Sequence, residues 1–169
     1  MRRLLLPLLA LLVVVAQGTW VARLELPLDM PLLLTLLVAW WWGRSAATAL
    51  GFWIGALVGA MTGTSIAFAS LYALVGWSAA TLLRMHPHRG VLRAGLLGAG
   101  AAVSFQGLES LVWRVARHPA TMDSGMVLAQ LLWNGVAFAL LVWFGSKLGL
   151  SGAGRSETWK DWRPLAYGG

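Results

Sequence analysis

Long apolar runs and short polar breaks alternate along the whole chain. The apolar runs cover residues 4–16, 31–42, 46–61, 66–83, 91–115 and 126–148. Runs of this length and character read as helices for a bilayer. Asp29 stands where an N-cap belongs, and Pro31 fits the first turn behind it. That second run is short for a span, and Trp40, Trp41 and Trp42 close it as an interfacial anchor. Gly43-Arg44-Ser45 and 62–65 are tight turns, while 17–29, 84–90 and 114–125 are longer loops. The expectation is an all-α integral membrane protein. Residues 1–150 form a six-span transmembrane helix bundle, and 151–169 form a polar cytoplasmic tail.

The third run carries Gly51, Gly55, Gly59 and Gly63, each four residues after the last. On a helix they form one ridge over roughly 18 Å of axis. Helix-interior glycines cost about 1 kcal/mol each relative to alanine. In lipid such a ridge lets a second backbone approach closely, where no hydrophobic drive brings helices together. The fifth run has a second ridge, Ala94, Gly98 and Ala102. With two ridges in a small bundle, one is expected to serve an outside helix.

Composition narrows the class. Of 169 residues, 59% are hydrophobic and 11% charged, which sets the chain apart from soluble domains. The absence of cysteine removes disulfides, thiolate metal sites and a Cys nucleophile. The net charge of +7 would suggest nucleic acid in a soluble protein. Here the cations sit between apolar runs and report topology instead. With the N-terminus inside, ten of the 13 Lys and Arg fall on inner segments. Arg23, Arg114 and Arg117 fall outside. Six spans with both termini cytoplasmic satisfy that rule. The basic start and short apolar core of residues 2–16 also fit a cleaved leader, but the charge pattern favours a retained helix.

Candidate chemistry is sparse. Glu109 is the one acid inside an expected span, and it shares a helix face with Gln106 and Trp113. Intramembrane carboxylates mark function by default, but near a helix end Glu109 also has Arg114 and Arg117 for partners. Gln130 and Asn134, four apart beside Trp133, suit hydrogen bonding between helices. His86, His88 and His118 lack metal-site spacing. No G-x-S-x-G, Walker A or H-E-x-x-H occurs. These features point away from an enzyme and from a pump, and no cofactor is expected.

From Pro27 to Leu148 the chain resembles the rod shape-determining protein MreD family. PLDMPLLLTLLVAWW is similar to that family's Pro-Asp and leucine-rich second span. GFWIGALVGAMTGTSIAFASLYALVGW looks like its central hairpin, and LLWNGVAFALLVWFGSKL like its closing helix. Two departures stand out: Gly59 occupies a position where the family often carries Asp, and Leu28 separates Pro27 from Asp29. The resemblance implies a non-catalytic subunit of the bacterial cell-elongation machinery in the inner membrane. It also implies an MreC-like single-span partner and, through it, MreB-like filaments and peptidoglycan synthases. A partner contact would fall on the outer rim at Gln106, Glu109 and Arg114.

The substrate-binding S-components of vitamin transporters share this architecture. They typically carry Ala-x-x-x-Ala on the first span, whereas Ala10 and Ala16 here are six apart. Under that alternative Trp20, Glu109, Trp113, Trp133 and Asn134 line an outer pocket.

The charge rule yields a direct test. In intact cells a Cys at Ser124 is expected to react with an impermeant maleimide. Ser45→Cys and His88→Cys are expected to react only after permeabilisation. Reaction of Ser124→Cys only after permeabilisation would invert the topology.

Overall fold

The computed structural model describes residues 2–21, 23–85, 90–115 and 124–148. The three histidines, Arg89, Arg117 and the tail at 151–169 lie outside the described residues, as does any test of the tail as a separate region. Six α-helices account for nearly all of the described chain: α1 (Arg2–Ala16), α2 (Met30–Trp42), α3 (Arg44–Thr62), α4 (Ser65–Met85), α5 (Val91–Val115) and α6 (Ser124–Lys147). There is no strand among the described residues. Four helices are long and apolar enough to cross a membrane, namely the segments Arg44–Thr62, Ile66–Met85, Val91–Val115 and Gly125–Lys147. Their outward side chains include Phe52, Trp53, Ile66, Leu92 and Leu96, all exposed. So much continuous apolar surface belongs in lipid rather than water.

The bundle is two tight helix pairs and one central helix. α3 packs along α4, and α5 along α6, while α2 touches all five other helices. That is why α2 is apolar all round: Leu32, Leu33, Leu36, Val38, Ala39 and Trp40 are all buried. Trp40 is not an interfacial anchor. It lies inside, edge-on to Phe138 with centroids 5.9 Å apart. Trp41 covers Gly145, and only Trp42 of the three is exposed. An aromatic run at a helix end reads as a bilayer-interface anchor, but α6 passes close by and claims two of the rings.

Both small-residue ridges are consumed inside the chain. A Cβ placed on Gly51 or Gly55 would collide with the backbone carbonyls of Tyr72 and Phe68 on α4. Gly76 of α4 reciprocates against the Ala47 carbonyl on α3. Gly59 is buried too, but Gly63 is not part of the seam. Its φ of 75° ends α3 in the left-handed region, and nothing lies within 4 Å of where its Cβ would be. The fourth glycine of the ladder is therefore a helix cap, not a packing residue. On α5, a Cβ on Gly98 would lie 2.8 Å from Phe138 Cβ and 3.0 Å from the Asn134 carbonyl oxygen. Ala94 and Ala102 are buried beside it. The α5 ridge thus faces α6 and is not free for an outside helix.

The chain between α1 and α2 also differs from a simple loop. The helix of α1 continues as a π-helical turn over Gln17–Val21. One residue, Gly43 with φ 85°, joins α2 to α3. The left-handed φ explains glycine at that position.

These seams predict a graded response. Gly55→Ala is expected to lower stability in detergent by about 1–3 kcal/mol through overpacking against the α4 backbone. Gly100→Ala, on an exposed part of α5 with nothing nearby, is expected to be neutral or stabilising by up to about 1 kcal/mol. Thermal unfolding of the two variants beside wild type checks this, and equal losses would mean that the α3–α4 seam is not tight.

Candidate functional site

A 13-residue helix is about 20 Å long, against about 30 Å of hydrocarbon. The start of α2 is enclosed by other helices: Pro31 and Leu32 of its first turn are buried, and Asn134 of α6 reaches its cap. Its first backbone N–H groups have no partners within the helix. In lipid, non-helical backbone is tolerated only where protein groups satisfy it or where it lines a cavity. Both conditions hold at this point.

Three side chains from three parts of the sequence supply the partners. Asp29 caps α2, its Oδ1 accepting the Leu32 N–H at 2.9 Å. Gln17, on the π-helical turn, donates from Nε2 to the Leu28 carbonyl at 2.9 Å. Its Oε1 accepts the Met30 N–H at 3.0 Å. Asn134, fully buried in mid-α6, accepts the Asp29 N–H on Oδ1 at 3.0 Å. Its Nδ2 in turn donates to the Gln130 carbonyl at 2.8 Å. The Tyr72 hydroxyl lies 3.4 Å from Asp29 Oδ1, a long contact from α4.

Beside this network lies a partly enclosed cavity of about 260 Å³. Its polar lining comprises Gln17, Asp29, Thr62, Tyr72, Gln106, Glu109, Gln130 and Asn134, and Phe68, Phe105 and Ala102 supply apolar wall. Gln106 and Gln130 bridge α5 and α6 through Gln106 Nε2 and Gln130 Oε1. The other amide oxygen, Gln106 Oε1, is buried with no hydrogen-bond partner. Glu109 Oε1 accepts the Trp113 indole N–H at 3.3 Å, and the Trp113 ring packs edge-on to Phe68, 5.9 Å between centroids.

The sequence candidates separate into two groups. Gln106, Glu109, Gln130 and Asn134 converge on the cavity. Arg114, Trp133 and Trp20 do not: all three are exposed, Trp133 at 54% and Trp20 at 74%. Arg114 follows Glu109 by five residues, a rotation of about 140° on a helix. Gln106, Glu109 and Arg114 therefore do not form one outer rim. Neither does Trp133 share the direction of its neighbour Asn134. Reasoning from the sequence missed Gln17 and Tyr72 as site residues and read Asp29 as a cap only. A lone amide ending the 4–16 run was the available signal for Gln17. Nothing local marked Tyr72.

Among the described residues no three His, Asp or Glu side chains gather to hold a metal ion. Comparison with family models, curated proteins and solved structures returns no match to this chain.

The network predicts a cost for losing Asn134. Asn134→Leu keeps the volume but strands the buried Asp29 N–H, and is expected to cost about 1–3 kcal/mol in detergent unfolding. Unchanged stability would mean that water reaches that group and that α2 does not depend on α6 for its start.

Proposed function

We propose that this protein is a non-catalytic inner-membrane subunit of the bacterial cell-elongation machinery, one that docks a single-span, MreC-like partner. All six helices would cross the bilayer with both termini cytoplasmic, following the distribution of Lys and Arg. The sequence resemblance to the MreD family motivates this reading. One structural observation supports it: the seam between α4 and α5. These neighbours in sequence touch only sparingly. The gap between them is an open trough of about 800 Å³, walled by Ala67, Ser70, Leu71 and Leu74 of α4 and by Leu108, Leu111, Val112 and Val115 of α5. Both small-residue ridges are used internally, so the trough is the docking surface left to a partner helix. Its lining is mostly apolar, with the two hydroxyl side chains of Thr64 and Ser70, which suits a transmembrane segment.

The polar cavity supports a second reading, a substrate-binding subunit of a transporter. It has the partly enclosed shape and convergent polar groups of a small-molecule site. The missing Ala-x-x-x-Ala on α1 and the outward Trp20 and Trp133 place it behind the scaffold reading.

Filling the trough tests the proposal. A single-span protein with a large periplasmic domain is expected to co-purify with wild type in mild detergent. Ala67→Trp is expected to reduce its recovery at least tenfold. Ala49→Trp, in a smaller hollow beside Phe52 and Trp53 on α3, is expected to retain it. Absence of such a protein from the wild-type preparation would overturn the assignment. Equal recovery with Ala67→Trp would move the docking surface elsewhere.

A further inference from the structure

The cavity at the start of α2 has a charge imbalance. Asp29 and Glu109 both line it, and no Lys, Arg or His does so among the described residues. Among the described residues, each carboxylate accepts hydrogen bonds on one oxygen only, Oδ1 for Asp29 and Oε1 for Glu109. A second and independent observation points the same way. Gln106 Oε1 is buried without a partner, and Gln106 lines the same cavity. Orphaned buried acceptors cost about 1–3 kcal/mol each, more when charged. The space thus presents two carboxylates and an unpaired acceptor, with no cationic side chain among the described residues.

We propose that this cavity binds a small organic cation, its ammonium group held by Asp29 and Glu109 and its N–H donors reaching Gln106 Oε1. The walls argue for an organic cation over a bare metal ion. Two carboxylates fall short of a metal-binding set. Phe68, Tyr72 and Phe105 line the space, and the Tyr72 and Phe105 rings lie 4.5 Å apart. Aromatic faces attract ammonium groups, most strongly where water is excluded. At about 260 Å³ the cavity sits just under the range for drug-sized ligands, which fits a compact molecule of on the order of ten non-hydrogen atoms. Protons alone can also neutralise the two acids, but they leave the space between the aromatic walls unfilled. An ammonium ligand satisfies both needs at once. The site does not depend on the scaffold reading, because its groups face the bundle interior and the trough residues face outward.

Equilibrium dialysis of radiolabelled benzylammonium against the full-length protein in detergent tests the proposal. Benzyl alcohol, of the same shape and uncharged, is the comparison probe. Saturable binding at one per chain is expected for benzylammonium, with benzyl alcohol at least tenfold weaker. Asp29→Asn keeps the Oδ1 cap of α2, and Glu109→Gln keeps the acceptor for Trp113, so both remove charge without removing structure. Each is expected to weaken benzylammonium at least tenfold, while Glu25→Gln, an exposed carboxylate outside the cavity, leaves it unchanged. The wild-type comparison of the two probes stands even if a variant fails to fold. The proposal is overturned by any of three results: no saturable benzylammonium binding, equal binding of benzyl alcohol, or displacement by an equimolar amount of sodium. Each is separable from the partner experiment, since none involves a second protein.

Discussion

The start of α2 is the constraint on which the rest of the structure depends. A helix that begins part-way through an apolar bundle exposes backbone donors where no water is available. Gln17, Asp29 and Asn134 meet that need from the end of α1, the cap itself and the middle of α6. The π-helical turn after α1 follows from it, since it carries the Gln17 amide to the Leu28 carbonyl and Met30 N–H. So does the burial of Asn134, a polar group that would otherwise be costly at that depth. The cavity lies beside this network, and Gln17, Asp29 and Asn134 belong to both.

Close backbone approach sets the remaining geometry. Glycine at 51, 55 and 76 draws α3 and α4 together, and Gly95, Gly98 and Gly135 do the same for α5 and α6. Each pair is a rigid unit with its small residues hidden. α2 fills the space between the pairs with leucine, valine and tryptophan. α4 and α5 do not repeat the close contact, and the trough lies between them.

The cavity and the trough therefore have different origins and chemistry, although they lie in the same half of the bundle. The cavity faces inward, is polar and carries two acids. The trough faces outward and is almost wholly apolar. Phe68 of α4 lines the cavity and packs edge-on to Trp113 of α5.

Much of the fold was legible in residue pattern. Apolar run length determined the helices, and the observed ends lie within about two residues of the expected ones for α3 to α6. Asp29 as the cap of α2 was legible too, because capping is a local bond to a backbone group three residues on. The four-residue glycine spacing determined that α3 would pack closely on something. It could not distinguish Gly63, since a cap and a seam residue are both glycine and differ only in φ. Partner choice lay beyond local reading. That α5 turns its small ridge to α6, that Trp40 goes inside, and that Trp133 faces away from the space beside Asn134 are set by which helices lie next to each other. The same holds for the site. Gln106, Glu109, Gln130 and Asn134 were visible as polar residues in apolar runs. Their convergence with Gln17, Asp29 and Tyr72 was decided by tertiary structure alone, because the depth at which α2 begins is set by how the two helix pairs enclose it.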